Sequence, residues 1–327
     1  MPLVVFAYEK VENSRRERDM VDSEDTQLAS SPKPKRYEAL FDRPISVDEY
    51  ASGEKRFNRA PAYVIVGVVS FICKVLWRYR VVGREKLPPL ADNSGVVAIS
   101  NHTSYLDVVF MYLGMFPRYW PRFMARESLF EHEPLGWIFA HIGAFPIKRD
   151  SADRTAIKRA ARMLKNGEIV GIMPEGTRRG KGSAESHVHG GAALIARMGK
   201  APILPMAVHN VDKVTVKGER LRFPKITVEF GDPVLLEDFN FLPKDERLDG
   251  CVWYALRESF ALFQGVAPEK VDMHALFPED RDFTDVFTEH PIPKHTAEEV
   301  AGGKSSPSRA KRLGPSQDGV EHEGRFS

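Results

Sequence analysis

The stretch Gly95-Val96-Val97-Ala98-Ile99-Ser100-Asn101-His102-Thr103-Ser104-Tyr105-Leu106-Asp107 decides how this chain is read. Its first six residues read as a short buried strand that runs straight into Asn101 and His102. A helix is expected to begin near Thr103 or Ser104. On one continuous helix, residues five apart diverge by roughly 140°, so His102 and Asp107 would face different ways. They meet if His102 sits on the strand-to-helix turn and Asp107 in the first helical turn, where the dipole favours a negative charge. A carboxylate on one ring nitrogen fixes the tautomer and frees the other nitrogen to take a proton. The plainer reading of the same residues is a capping pattern from Ser104 to Asp107 beside a turn histidine.

Three further segments follow. Gly143-Ala144-Phe145-Pro146-Ile147-Lys148-Arg149 places two cations at the end of a strand. The planar fork of Arg149 suits phosphate, whereas a strand-end lysine such as Lys148 is commonly just solvated. Glu168 to Met173 reads as a strand that delivers Pro174-Glu175-Gly176-Thr177-Arg178 to the same end of a sheet. Gly176 permits a tight backbone there, and Arg178 adds a second phosphate-capable fork. Ala201 to Val208 is an apolar strand suited either to shaping a pocket or simply to filling a core.

In this order the four segments resemble the glycerolipid acyltransferase family typified by lysophosphatidate acyltransferases, over roughly residues 60 to 265. The family's histidine and aspartate with four residues between them fall on His102 and Asp107. Its G-x-F-x-I-x-R-like block falls on Gly143, Phe145, Ile147 and Arg149. Its E-G-T-R block falls on Glu175, Gly176, Thr177 and Arg178, and its proline-containing apolar block on Pro202, Ile203, Leu204 and Pro205. The resemblance implies direct acyl transfer, with His102 as base, Asp107 orienting it, and Arg149, Arg178 and more weakly Lys148 gripping an acceptor phosphate. Glu175, Gly176 and Thr177 would form a substrate loop, with Glu175 binding a glycerol hydroxyl or holding Arg178. Pro202 to Pro205 would line an acyl pocket. The implied partners are an acyl-CoA or acyl carrier protein donor, a lysophospholipid acceptor and a membrane surface. No cofactor and no metal are implied.

Where family members often carry a basic residue before the small-residue helix, this chain has His187-Val188-His189-Gly190-Gly191, which leaves open another lysolipid or a lyso-aminolipid as acceptor. A covalent role for Ser104 competes poorly, because the chain contains no G-x-S-x-G elbow and Ser104 reads as a helix start. A catalytically silent membrane-binding protein would be expected to have a broken His-Asp pair, and both residues are present.

Composition agrees with one substantial core plus tails: 327 residues, 43% hydrophobic and 28% charged. A net charge of +2 is too mild to indicate nucleic acid. The uncharged apolar run from Ala62 to Cys73 is twelve residues long, short of a bilayer core of roughly 30 Å. Extending it through Trp77 passes Lys74, whose head would have to snorkel. The run, followed by Arg78, Arg80, Arg84 and Lys86, predicts a helix that dips into one leaflet. Met1 to Glu54 offers no apolar segment of signal-peptide length. With Cys73 and Cys251 unsuited to a disulfide framework, the expected setting is the cytoplasmic face of a membrane.

The predicted architecture is α/β, a single domain with a mixed central sheet flanked by helices and preceded by a membrane-associating helix. Its divisions are a polar N-terminal extension (1–55), the apolar helix and basic flank (56–86), the catalytic domain (87–265), a C-terminal extension (266–290) and a disordered tail (291–327). Lys213 to Lys217 and Lys225 to Phe230 are expected to pair about Gly218. Arg118, Arg122 and Arg126, interleaved with Tyr119, Trp120 and Phe123, read as a membrane-proximal surface.

Overall fold

The computed structural model describes residues 35–44, 60–90, 94–148, 153–175, 187–214 and 220–302. Its first helix, α1 (Ala60–Trp77), leads directly into β1 (Arg80–Val82). There follow β2 (Val96–Ser100), α2 (Tyr105–Met115), β3 (Pro121–Arg126), α3 (Glu133–His141), β4 (Phe145–Ile147), α4 (Arg154–Lys165) and β5 (Ile169–Ile172). Next come α5 (Gly191–Gly199), β6 (Ile203–His209), β7 (Thr227–Phe230) and α6 (Arg247–Gln264), and the chain closes with α7 (Met273–Leu276), α8 (Thr284–Glu289) and α9 (Ala297–Gly302).

The strands form one seven-stranded sheet in the order β1-β7-β6-β2-β5-β3-β4. Only the β6–β7 pair is antiparallel, so the sheet is mixed, as expected. The chain winds from β2 through β5 to one side and places β6 on the other. The C-terminal end of β2 therefore lies where the strand order reverses, the place at which open α/β sheets bind ligands. Every residue of β2 is buried, which is why the segment reads as a continuous apolar run rather than an alternating one.

Several expectations are corrected. Lys213 lies in a 3₁₀ turn rather than a strand, and residues 215–219, including Gly218, lie outside the described residues. β7 instead pairs with β6 and β1, because Val228 and Phe230 are buried there. Residues 291–302, expected to be disordered, carry α9. Ala297 and Val300 are buried, and His295 Nε2 meets Asp238 Oδ2 at 2.8 Å. The apolar helix runs on past Lys74 to Trp77, the longer of the two extents that the sequence left open. Lys74 does not stop it, because its ammonium folds back onto the Tyr79 carbonyl at 2.8 Å.

Arg122 is the sharpest correction, since it is fully buried rather than at a surface. Its Nη2 donates to the carbonyls of Leu40 (3.3 Å) and Phe41 (2.9 Å), and its Nη1 to that of Arg43 (3.0 Å) and toward Glu168 Oε2 at 3.6 Å. Burial pulls the Arg122 pKa down and the adjacent Glu168 carboxylate opposes it. Part of the N-terminal extension is thereby strapped to the sheet. Asp42, within the same strap, is bonded by Arg159 and Arg162, and the Arg159 hydrogen bond holds its pKa below the usual carboxylate range. A depressed folded pKa makes this contribution available above the ordinary carboxylate pKa, and it is lost as pH falls through the folded value.

Breaking the buried pair should be costly. Arg122→Ala is expected to lower unfolding free energy by about 3–5 kcal/mol, because the buried Glu168 carboxylate loses the guanidinium beside it. The double change Arg122→Met with Glu168→Gln should cost clearly less. Denaturant titration of both proteins checks this, and equal losses would contradict it.

Candidate active site

β2 ends at Ser100, and α2 starts five residues later with Ser104 as its N-cap, the Ser104 Oγ accepting from Leu106 N at 3.3 Å. Asp107 closes the capping box: its Oδ2 accepts the main-chain N–H groups of Thr103 and Ser104, each at 2.7 Å. The same oxygen lies 3.2 Å from His102 Nδ1. One carboxylate thus both caps the helix and meets the ring. That oxygen already accepts two N–H groups, so a neutral ring would donate to it from Nδ1 and carry its lone pair on Nε2. His102 is 6% exposed and Asp107 1% exposed, so the pair is shielded while the ring still reaches the surface.

The main chain of this turn is held from two sides. Glu175, 2% exposed at the end of β5, accepts the His102 N–H on Oε1 at 2.8 Å. On the opposite side, Ser259 of α6 accepts the Asn101 N–H at 3.1 Å and donates to the Met206 carbonyl at 2.6 Å. Beyond Ser100 the turn has left the β-ladder, so these side chains satisfy its N–H groups. Glu175 was expected at the site from its motif, as a group for a glycerol hydroxyl or for Arg178. Its observed contact is with the His102 backbone. Ser259 was not anticipated; the only sequence signal for it is a small hydroxyl on an otherwise apolar helix face.

The remaining expected residues are placed as follows. Lys148 stands exposed at the end of β4, with its Nζ 3.8 Å from Glu127 Oε1, a weak surface pairing. Pro202, Ile203, Leu204 and Pro205 are buried in and just before β6, between β2 and β7, as core strand residues are. Arg149, Gly176, Thr177 and Arg178 lie outside the described residues. Both cysteines are free and buried; burial pushes the Cys73 thiol up to about 12 and raises Cys251 as well, so neither is a thiolate nucleophile.

A ring oriented by a carboxylate at the binding edge of an α/β sheet is an arrangement able to act as a general base. The profile of the family described as Acyltransferase matches residues 78–209, which span β1 to β6 and include the whole His102 turn. The chain is 37% identical to the 1-acyl-sn-glycerol-3-phosphate acyltransferase of Bacillus subtilis (strain 168) over 169 residues, covering 52% of this chain and 80% of that one. It is 33% identical to the enzyme of the same name from Streptococcus pneumoniae (strain ATCC BAA-255 / R6) over 157 residues, 48% of this chain and 55% of that relative. The crystal structure of the 1-acyl-sn-glycerophosphate (LPA) acyltransferase PlsC from Thermotoga maritima aligns over 65% of this chain and 86% of its own, at 21% identity and a TM-score of 0.47. The chain belongs to the 1-acyl-sn-glycerol-3-phosphate acyltransferase family.

Ser259 supplies a test of the turn's construction. Ser259→Ala leaves the Asn101 N–H and the Met206 carbonyl buried without this partner, and each such group costs about 1–3 kcal/mol. A loss on the order of 2 kcal/mol is expected from the shift in denaturation midpoint; a shift equivalent to less than about 0.5 kcal/mol, the scale of ordinary surface changes, would contradict the assignment.

Proposed function

We propose that this protein transfers a fatty acyl group from an acyl thioester to the sn-2 hydroxyl of lysophosphatidic acid, giving phosphatidic acid. The observation that carries the reading is the His102 ring held on Nδ1 by Asp107 at the binding edge of the sheet. The named substrate of the relatives supports the choice of acceptor.

In this mechanism His102 Nε2 takes the acceptor hydroxyl proton as that oxygen attacks the thioester carbonyl. A tetrahedral oxyanion forms and collapses, the C–O ester bond remains, and the C–S bond breaks. The departing sulfur takes the proton back from the imidazolium; with a thiol pKa near ~8.5 it needs no stronger acid. Asp107 stabilises the imidazolium and keeps the productive tautomer. Arg149 and Arg178 grip the acceptor phosphate by paired N–H donation, with Lys148 as an additional cation. The donor is acyl-CoA or acyl carrier protein.

The outward face of α1 supports action at a lipid surface. Val64, Val68, Phe71 and Val75 recur at helical spacing and are all exposed, while Ala62, Val66, Cys73 and Trp77 are buried on the other face. The helix is long and apolar enough to cross a membrane by length and composition. With one face committed to the domain, we place it as an interfacial element with its outer face in lipid, on the cytoplasmic side.

The primary test measures thiol release from acyl-CoA and from acyl carrier protein by purified full-length protein, with and without lysophosphatidate, and identifies the lipid by mass. Acceptor-dependent turnover to phosphatidic acid is expected, reduced on the order of 10²–10⁴-fold in His102→Ala. Turnover only with a different lysolipid would overturn the acceptor assignment. For the membrane face, Val68→Glu with Phe71→Glu should abolish co-flotation with anionic phosphatidylglycerol vesicles without lowering the thermal midpoint. Retained flotation would remove α1 from the interface.

A further inference from the structure

The strand register brings two distant stretches of chain to the edge of the sheet that carries His102. β6 runs parallel to β2, with Met206 beside Ser100, so its C-terminal end at His209 lies on the His102 edge. His209 pairs with Thr227 at the start of β7, and Thr227 with Arg80 at the start of β1. The junction of α1 with β1 and the connection from β6 to β7 therefore share this edge.

The described parts of that connection, 210–214 and 220–226, are fastened to the junction and to each other through main-chain groups. The Arg222 N–H donates to the Val214 carbonyl at 3.0 Å, and the Trp77 indole to the Arg222 carbonyl at 3.2 Å. Arg78 Nη2 donates to the Phe223 carbonyl at 3.1 Å, and Asn210 Nδ2 to the Lys225 carbonyl at 3.0 Å. With the backbone occupied in this way, Arg220, Leu221, Arg222, Phe223 and Lys225 are all exposed. Lys74, Arg78 and Lys213 stand exposed on the adjoining chain. Lys74 and Lys213 bond neutral oxygens, the Tyr79 carbonyl and Asn210 Oδ1, each at 2.8 Å. Among the described residues no acid pairs with Arg220 or Lys225. Across 74–80, 210–214 and 220–226 seven lysines and arginines accompany one acid, Asp212.

We infer that this surface docks on anionic lipid headgroups in a bilayer, as a second membrane contact beside the outer face of α1. Its cations suit lipid phosphates, and Leu221 and Phe223, interleaved with them, suit the apolar layer just beneath. That interleaving favours a lipid surface over an acidic protein, whose contact would call for acids opposite the cations but not for apolar side chains between them. The inference deepens the lipid-surface reading of α1 given above. Val75, the last member of the exposed apolar stripe of α1, lies three residues before Arg78, so the two surfaces are continuous. A contact along one helix leaves the domain free to roll about the helix axis. A second contact away from that axis removes the roll and turns the His102 edge toward the lipid.

The experiment is equilibrium partitioning of the full-length protein onto vesicles of phosphatidylcholine alone and of phosphatidylcholine mixed with phosphatidylglycerol. Arg220→Gln with Lys225→Gln is expected to weaken binding to the mixed vesicles about thirtyfold, the scale of two cations near an anionic surface. Binding to phosphatidylcholine alone should stay within about twofold. Arg220→Gln by itself should weaken mixed-vesicle binding about fivefold, and it carries the same test if the double variant does not fold. Lys158→Gln with Lys244→Gln, two exposed lysines on α4 and before α6, makes the same change of net charge and should leave both affinities unchanged. An equal loss in this control pair, or unmoved binding in the Arg220 variants, would overturn the inference. So would normal vesicle binding joined to lost turnover with acyl carrier protein alone, which would assign the surface to an acidic protein. Val68→Glu with Phe71→Glu is partitioned in parallel. If it binds phosphatidylcholine normally while the Arg220 variants lose the preference for phosphatidylglycerol, the α1 reading falls and this inference stands; the reverse result removes this inference alone.

Discussion

One carboxylate oxygen, Asp107 Oδ2, ties together the end of β2, the turn and the start of α2. It accepts the N–H groups of Thr103 and Ser104 and lies against the His102 ring. Helix starts leave N–H groups without intrahelical partners, and a capping acid normally serves only those. Here the geometry that closes the helix also sets the ring, so neither can shift independently. Moving the helix start by one residue would swing the carboxylate by about 100° around the axis and lose both sets of contacts. Glu175 just beyond β5 and Ser259 from α6 then hold the preceding N–H groups, so with Asp107 three separate side chains converge on the four residues Asn101 to Ser104.

What the sequence made legible was local. A buried strand announces itself by an apolar run, and the His102–Asp107 spacing carries its own geometry once the helix start is placed. β2, β5, β6 and the helices α4 and α5 follow from such short-range patterns. Arg122 did not, because nothing in its aromatic surroundings reveals that the carbonyls of Leu40, Phe41 and Arg43, some eighty residues earlier, would converge on it. Ser259 and Asp280 were hidden for the same reason, being ordinary in their own segments and meaningful only through contacts more than ninety residues distant. The partner of β7 was misjudged because a neighbouring segment seemed close enough to form a hairpin, whereas the burial of Val228 and Phe230 commits that strand to the central sheet.

The two segments outside the family match reach opposite parts of the domain by different chemistry. The N-terminal strap presents main-chain carbonyls to a buried guanidinium and an aspartate to two arginines of α4. The C-terminal extension anchors through tilted and edge-to-face aromatic rings and then offers the Asp280 carboxylate to the Val188 N–H. Carbonyls and a guanidinium suit a site closed to water, where the fixed fork of Nη1 and Nη2 meets converging acceptors. Aromatic anchoring with a polar tip suits a contact that stays near the surface.

The apolar helix α1 poses the question of how a site can be held at a fixed height above a lipid surface. A helix free on all sides would set no orientation, and a fully buried one would have no face for lipid. α1 has two apolar faces with different fates, and its inner face is knitted to the domain through Trp77, which packs on Phe110 of α2 and on Phe223 and donates to the Arg222 carbonyl at 3.2 Å. Only Arg78 and Tyr79 separate the helix from β1, and Arg78 adopts a left-handed backbone, φ 45°. A connection that short allows little independent swing between helix and sheet. Once the outer face of α1 enters lipid as proposed, the whole sheet is carried with it, and the His102 edge keeps one distance and one tilt relative to the surface from which an amphiphilic acceptor must rise.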